Sequence, residues 1–358
     1  ETMQSALRGM TFITCTNFGA TTLVVGLIAW LLLGLEPIPA FTLGAILGGT
    51  SSAVVIPLVK QLKLQESART ILVLESALSD VLCIVFVLAL IQAYSADGIR
   101  VGAIIGSIIS SFTLAALLGI VSALLWSVLL AKIRTIKNSM FTTPAFVFVI
   151  YGIAEVLGFS GAIAALAFGV TLANIDRFRF KTIQRLVNRG MNTFNDSEKQ
   201  FFSEIVFLLK TFFFVFIGIS IQFTNGWALL FGFFITIVIY ILRIPVVKFS
   251  IYEALPTIDL TIMSTMAPKG LAAAVLASLP LQYGLPSGEM IRDLTYAVIL
   301  TSIVLTSILI PVLEKVPAVS AFYGAIIRKG RRIKTHPRPA LDETPKSNQL
   351  TETEEGEN

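Results

Sequence analysis

The chain is poor in the residues from which most catalytic centres are built. It has one histidine, His336, in 358 residues, and that one lies in a polar C-terminal stretch. A histidine proton relay, a zinc site and a Ser-His hydrolase are excluded on this inventory. The two cysteines, Cys15 and Cys83, fall in separate apolar runs, which gives neither a disulfide framework nor metal-ligand spacing. Charge is scarce as well: 14% of the residues are Asp, Glu, Lys or Arg, against about 25% in soluble domains. The net charge of +5 is no nucleic-acid footprint, because the Lys and Arg residues collect between apolar runs, as basic loops do in membrane proteins.

Apolar sequence is what the chain has in quantity. Hydrophobic residues make up 55% and the mean hydropathy is +0.83, which marks a polytopic membrane protein, and its span-length apolar runs are read as an all-α fold. About ten spans are predicted, near residues 10–33, 38–59, 68–94, 101–130, 142–157, 161–174, 201–221, 227–252, 260–279 and 294–313. Alternating sides along these spans puts the basic residues of 60–69, 132–137 and 177–199, Lys248 and the cluster at 328–334 on one face of the membrane. The positive-inside rule then places the C-terminus in the cytoplasm. Residues 176–200 read as a surface loop with some amphipathic helix. The expected organisation is a transmembrane domain over 1–315, followed over 316–358 by a basic juxtamembrane segment and a disordered tail.

Two spans carry interruptions. Gly48-Gly49-Thr50-Ser51-Ser52 breaks the second, and Met266-Ala267-Pro268-Lys269-Gly270 breaks the ninth. Irregular backbone at membrane depth is tolerated only where it lines a cavity or is buried in protein. Paired breaks in the two halves point to an inverted-repeat transporter with its site near the midplane. The ends of half-helices leave dipole charge that needs compensation. Lys269 supplies a cation at the second break, while the Thr50 and Ser51 hydroxyls and freed carbonyls offer oxygen ligands at the first.

The third span contains Glu75-Ser76-Ala77-Leu78-Ser79-Asp80. An acid at the centre of a span costs roughly 2.5 to 3.5 kcal/mol, so it marks a functional site by default. Glu75 and Ser79, like Ser76 and Asp80, are i,i+4 neighbours on adjoining strips of the helix. One face is therefore expected to present two carboxylates and two hydroxyls, hard oxygen ligands for a small monovalent cation or for a proton that competes with it. Other intramembrane charges have plainer readings. Lys210 snorkels or pairs locally, Glu155 and Glu204 sit at span ends as interfacial residues, and Gly161 and Gly169 allow close helix packing.

Taken as a set, these segments resemble the monovalent cation/proton antiporter superfamily, the sodium/proton exchangers. The run from Gly44 to Phe86, the stretch Glu155 to Gly161, Phe214-Val215-Phe216-Ile217-Gly218, Arg243 and Pro268-Lys269-Gly270 follow in the family's order. The resemblance implies an antiporter fold with two discontinuous crossing helices, and it makes Asp80 the acid that alternately binds cation and proton. Ser79 stands where the family often has Asn or Asp, and Thr50-Ser51-Ser52 stands where it often has Thr-Asp-Pro. Glu75 matches the family's structural glutamate and Arg243 its expected ion-pair partner, while Lys269 occupies a position frequently held by arginine. Two or three further helices are expected before Glu1, and a homodimer is expected in the bilayer.

The function expected is exchange of Na+ or K+ for H+ by alternating access at Asp80, with Thr50, Ser51, Ser76 and Ser79 as neutral ligands. No resident cofactor is called for, and the setting is a bacterial or archaeal plasma membrane. A sodium-coupled solute symporter of similar crossed-helix fold is the alternative. An intramembrane aspartyl protease would need a second acid inside a span, and Asp259 lies near a span end.

Overall fold

A computed structural model describes residues 2–95, 101–133, 141–174, 196–220, 226–251 and 255–328. Among these residues there are fourteen helices and no strand. The basic loop expected within 176–195, the loop charges Asp97, Arg100, Arg134 and Lys137, and the cluster and tail beyond residue 328 lie outside the described residues.

The first three spans form a unit with two long helices around a broken one. Helix α1 (Thr2–Leu31) leads through a turn to α2 (Pro37–Leu47), which begins with proline at its first position, where a missing N–H costs nothing. Residues 48–51 interrupt the span before α3 (Ser52–Gln61), and α4 (Glu66–Ser95) closes the unit. The same succession returns in the second half. There α9 (Gly226–Ser250) is followed by α10 (Thr257–Thr265), the break at 266–270, α11 (Leu271–Ala277), a single turn α12 (Leu279–Gln282) and α13 (Gly288–Lys315).

Between the two units run α5 (Val101–Ile133), α6 (Thr142–Val156), α7 (Gly161–Ala173) and α8 (Asp196–Ser220). An odd number of crossings, seven, separates the start of α1 from the start of α9. The second unit therefore enters the membrane from the opposite side, and the repeat is inverted. Seven of the described spans are long and apolar enough to cross a bilayer, and the shorter α6 and α7 and the broken α10–α11 pair complete the predicted ten.

The two units share a core. Helix α1 packs on α2, α4 and α9, and α13 packs on α9 and α11. A cluster of buried side chains including Phe18, Val25, Leu43, Ile46, Ile235, Ile239, Leu294 and Val298 fills the space between them. Helices α5, α6 and α7 form a separate packet held by Ala123, Trp126, Phe168 and Leu172, and it meets the core chiefly through α4. Helix α8 presents Phe207, Leu208, Phe212 and Ile219 outward, as a helix bathed in acyl chains does.

Two elements differ from the sequence-based expectation. Helix α8 begins at Asp196, five residues before the predicted span, so the end of the polar segment is helical. A further helix, α14 (Pro317–Arg328), extends beyond the predicted transmembrane domain and packs on α10 and α13. Its apolar side is short, with Ile327 buried and Phe322 exposed, and so it carries no span-length run that a hydropathy reading detects.

Candidate functional site

The two breaks meet. The Ser51 backbone N–H donates to the Pro268 carbonyl at 2.8 Å, so the two interrupted segments touch main chain to main chain. Such an approach requires a missing side chain. A Cβ on Gly270 would run into the Ser51 Oγ, and a Cβ on Gly49 would lie 2.6 Å from the Cys83 Sγ.

Interrupting a helix frees backbone groups that no water reaches at this depth, and each needs a partner. The Thr50 N–H donates to Ser79 Oγ at 3.0 Å and the Lys269 N–H to Ser302 Oγ at 3.0 Å. Asn17 donates to the Gly48 carbonyl at 3.5 Å. Lys269, itself 1% exposed, donates from Nζ to the Gly49 carbonyl at 2.7 Å. The lysine from the second break thus lies against the C-terminal end of α2, where a positive charge opposes the helix dipole. Two hydroxyls are left over. Thr50 Oγ1 and Ser51 Oγ are buried with no hydrogen-bond partner among the described residues.

Asp80 lies beside this crossing. Its Oδ2 accepts a 2.9 Å hydrogen bond from Ser52 Oγ, the first residue of α3. Its side chain faces a cavity of about 680 Å³ whose polar wall includes Ser52, Gln92, Tyr151 and Glu155, with Val85 and Leu276 among its apolar lining. The carboxylate thus lies at the edge of the crossing and opens onto this cavity.

Glu75 points elsewhere. Five residues separate it from Asp80, roughly 140° around the helix, so the two carboxylates do not share the face expected of them. Glu75 accepts from both terminal guanidinium nitrogens of Arg243, Nη1 on Oε1 and Nη2 on Oε2, the latter at 2.7 Å, and both side chains are buried. Arg243 Nε also donates to the Met263 carbonyl at 3.2 Å. One guanidinium therefore ties α9 to α4 and to the half-helix α10, in the forked geometry that makes Arg–carboxylate pairs both strong and directional.

The serines between the acids also bond to backbone. Ser76 Oγ donates to the Val73 carbonyl at 2.9 Å, and Ser79 Oγ donates to the Ser76 carbonyl at 3.1 Å while accepting from Thr50 N–H. Ser79 anchors the first break to α4. Ser52, not Ser76, meets the Asp80 carboxylate, a contact across the break that i,i+4 spacing within one helix does not show. The signal was present in the third residue of Thr50-Ser51-Ser52. Among the described residues no group of three or more His, Cys, Asp and Glu side chains is arranged to hold a metal ion.

Asp259 accepts the Gln65 backbone N–H at 3.0 Å, at the entrance of α4. It is 2% exposed and on the first turn of α10. Its contact is with a helix start, in keeping with a carboxylate's preference for that end of the dipole.

An all-helical, multi-pass membrane protein whose two inverted units cross their broken helices beside a carboxylate belongs architecturally to the secondary transporters. Residues 2–315 match the model of the transmembrane sodium/hydrogen exchanger family, and the chain belongs to that family. The family is one of transporters, and membership supports cation/proton antiport. The fold is similar to that of the sodium proton antiporter MjNhaP1 from Methanocaldococcus jannaschii, solved at pH 8, with a TM-score of 0.63 and 17% identity over 85% of this chain and 79% of that one.

Proposed function

We propose that the chain exchanges Na+ or K+ for H+ by letting the two ions compete for the Asp80 carboxylate. The observation that carries this reading is Asp80, bonded to Ser52 at the start of α3 and open to a cavity, beside a crossing whose first break leaves the Thr50 and Ser51 hydroxyls buried without a partner. An unpaired buried hydroxyl is costly unless something occupies it part of the time. Thr50 Oγ1 and Ser51 Oγ complete, with the ionised carboxylate, a small set of hard oxygens of the kind that replaces the water around a monovalent cation. A proton on Asp80 removes the charge from that set and releases the ion.

Lys269 holds the Gly49 carbonyl and keeps the crossing compensated in both states. Glu75 and Arg243 keep α4, α9 and α10 moving as one body, and that body rocks against the α5–α7 packet to expose Asp80 to either side in turn. The chain works as a homodimer in a bacterial or archaeal plasma membrane with its C-terminus in the cytoplasm. The apolar outer face of α8 lies against lipid.

The test is exchange in sealed proteoliposomes carrying an internal pH dye, with Na+, K+ and Li+ added in turn. The wild type responds to at least Na+, and Asp80→Asn gives no cation-dependent pH change while keeping its detergent-solubilised elution profile. Robust cation-dependent proton flux in Asp80→Asn would remove the carboxylate from the mechanism.

A further inference from the structure

Two peptide groups at the crossing are bonded at both ends, and the two halves of the chain hold them in the same way. In the Gly49–Thr50 peptide the carbonyl accepts from Lys269 Nζ at 2.7 Å and the N–H donates to Ser79 Oγ at 3.0 Å. In the Pro268–Lys269 peptide the carbonyl accepts from the Ser51 N–H at 2.8 Å and the N–H donates to Ser302 Oγ at 3.0 Å. Each peptide is thus met at one end by the opposite break and at the other by a serine of the long helix that closes its own unit, α4 or α13. The serines match in their second bond as well. Ser79 Oγ donates to the Ser76 carbonyl at 3.1 Å and Ser302 Oγ to the Ile299 carbonyl at 3.0 Å, in both cases three residues back. Ser302 is buried, and its own carbonyl accepts from the Tyr240 hydroxyl at 2.9 Å and from Thr306 Oγ1 at 2.8 Å.

Building on the Asp80 reading, we infer that Ser302 is a positioning residue for cation binding: by fixing the plane of the Pro268–Lys269 peptide it sets where Ser51 stands, and through Ser51 the affinity of the site. A peptide is planar with its C=O and N–H pointing opposite ways, so a bond at each end holds it against rotation. With the Ser302 end released, the ψ of Pro268 and the φ of Lys269 are free to turn together, because the proline ring restricts only its own φ. No solvent replaces a lost acceptor at membrane depth, which drives the Lys269 N–H to turn toward another one. The Pro268 carbonyl then leaves the Ser51 N–H, and Ser51 Oγ, buried without a partner among the described residues, shifts relative to Asp80. Ser79 fixes the Gly49–Thr50 peptide of the first unit, and Ser302 is its counterpart in the second.

Proteoliposome exchange is measured against Na+ concentration for wild type, Ser302→Ala and Ser302→Thr, with rates normalised to monodisperse protein. Ser302→Ala is expected to raise the apparent KM for Na+ by about three-fold or more, the scale of one hydrogen bond, with a smaller change in maximal rate. Ser302→Thr keeps the hydroxyl and is expected to stay within about two-fold of the wild-type KM. Ser302→Cys keeps the volume but offers only a weak acceptor. Its KM is expected to rise as well, and it carries the test should the alanine protein fail to fold. An unchanged KM in Ser302→Ala, or in Ser302→Cys in its place, overturns the inference and leaves Ser302 a packing residue. An equal rise in Ser302→Thr overturns it too, since the hydroxyl would then not be what matters. Absence of flux from wild-type liposomes, or flux surviving in Asp80→Asn, overturns the underlying reading and the inference with it, whereas a normal KM with both controls intact overturns the inference alone.

Discussion

At the scale of single residues, the proposed site divides its polar groups between those already paired and those left open. Glu75 and Arg243 are fully paired and buried. Breaking such a pair from one side costs about 3 to 5 kcal/mol because the other charge is stranded. Glu75→Gln is therefore expected to lower the thermal midpoint of the detergent-solubilised protein sharply, and Glu75→Leu combined with Arg243→Met to recover much of that loss. Equal losses in the single and double variants would show that the pair does not carry the stability. Asp80 was legible in the sequence because an acid in a span is rare. Its partner was not, because Ser52 reaches it from a different half-helix 28 positions earlier, and only the fold shows which hydroxyl comes within bonding distance. Periodicity along α4 places Ser76 and Ser79 beside the acids, and it does not register that a serine inside a helix readily donates its proton back to its own backbone.

At the scale of elements, the informative feature is that both interrupted helices stop where they touch. Each break hands its freed backbone groups to the other or to a neighbouring helix: Ser51 to Pro268, Lys269 to Gly49, Thr50 to Ser79, and Lys269 N–H to Ser302. Gly270 permits the contact, since a Cβ there meets Ser51 Oγ and lies 2.7 Å from Ser51 Cβ. Gly270→Ala is expected to push the crossing apart and reduce exchange at least about ten-fold, the scale on which roughly an ångström of misplacement at a site is felt. Ser51→Gly in the same chain makes room again and is expected to restore part of the rate relative to Gly270→Ala alone, although it removes one candidate ligand. A double variant no better than the single would mean that Gly270 serves another purpose. The breaks themselves were readable from Gly, Thr, Ser, Pro and Lys in otherwise apolar spans. The extra helix Pro317–Arg328 was not, because it is too short and too amphipathic to stand out against a hydropathy threshold, and its packing on α10 decides its structure.

At the scale of the whole molecule, the inverted repeat follows from counting. Three spans, then four, then three place two similar units in opposite orientation, and their broken members cross where both reach the midplane. The α5–α7 packet stands apart from this core and supplies the far wall of the Asp80 cavity, which is the division of labour that alternating access requires. The account depends on one trade at one carboxylate. The most direct measurement adds Na+ to purified protein in weakly buffered detergent solution and follows proton release with a pH dye. The account predicts release that saturates with Na+ in the wild type and disappears in Asp80→Asn. Release of the same size from Asp80→Asn would contradict it.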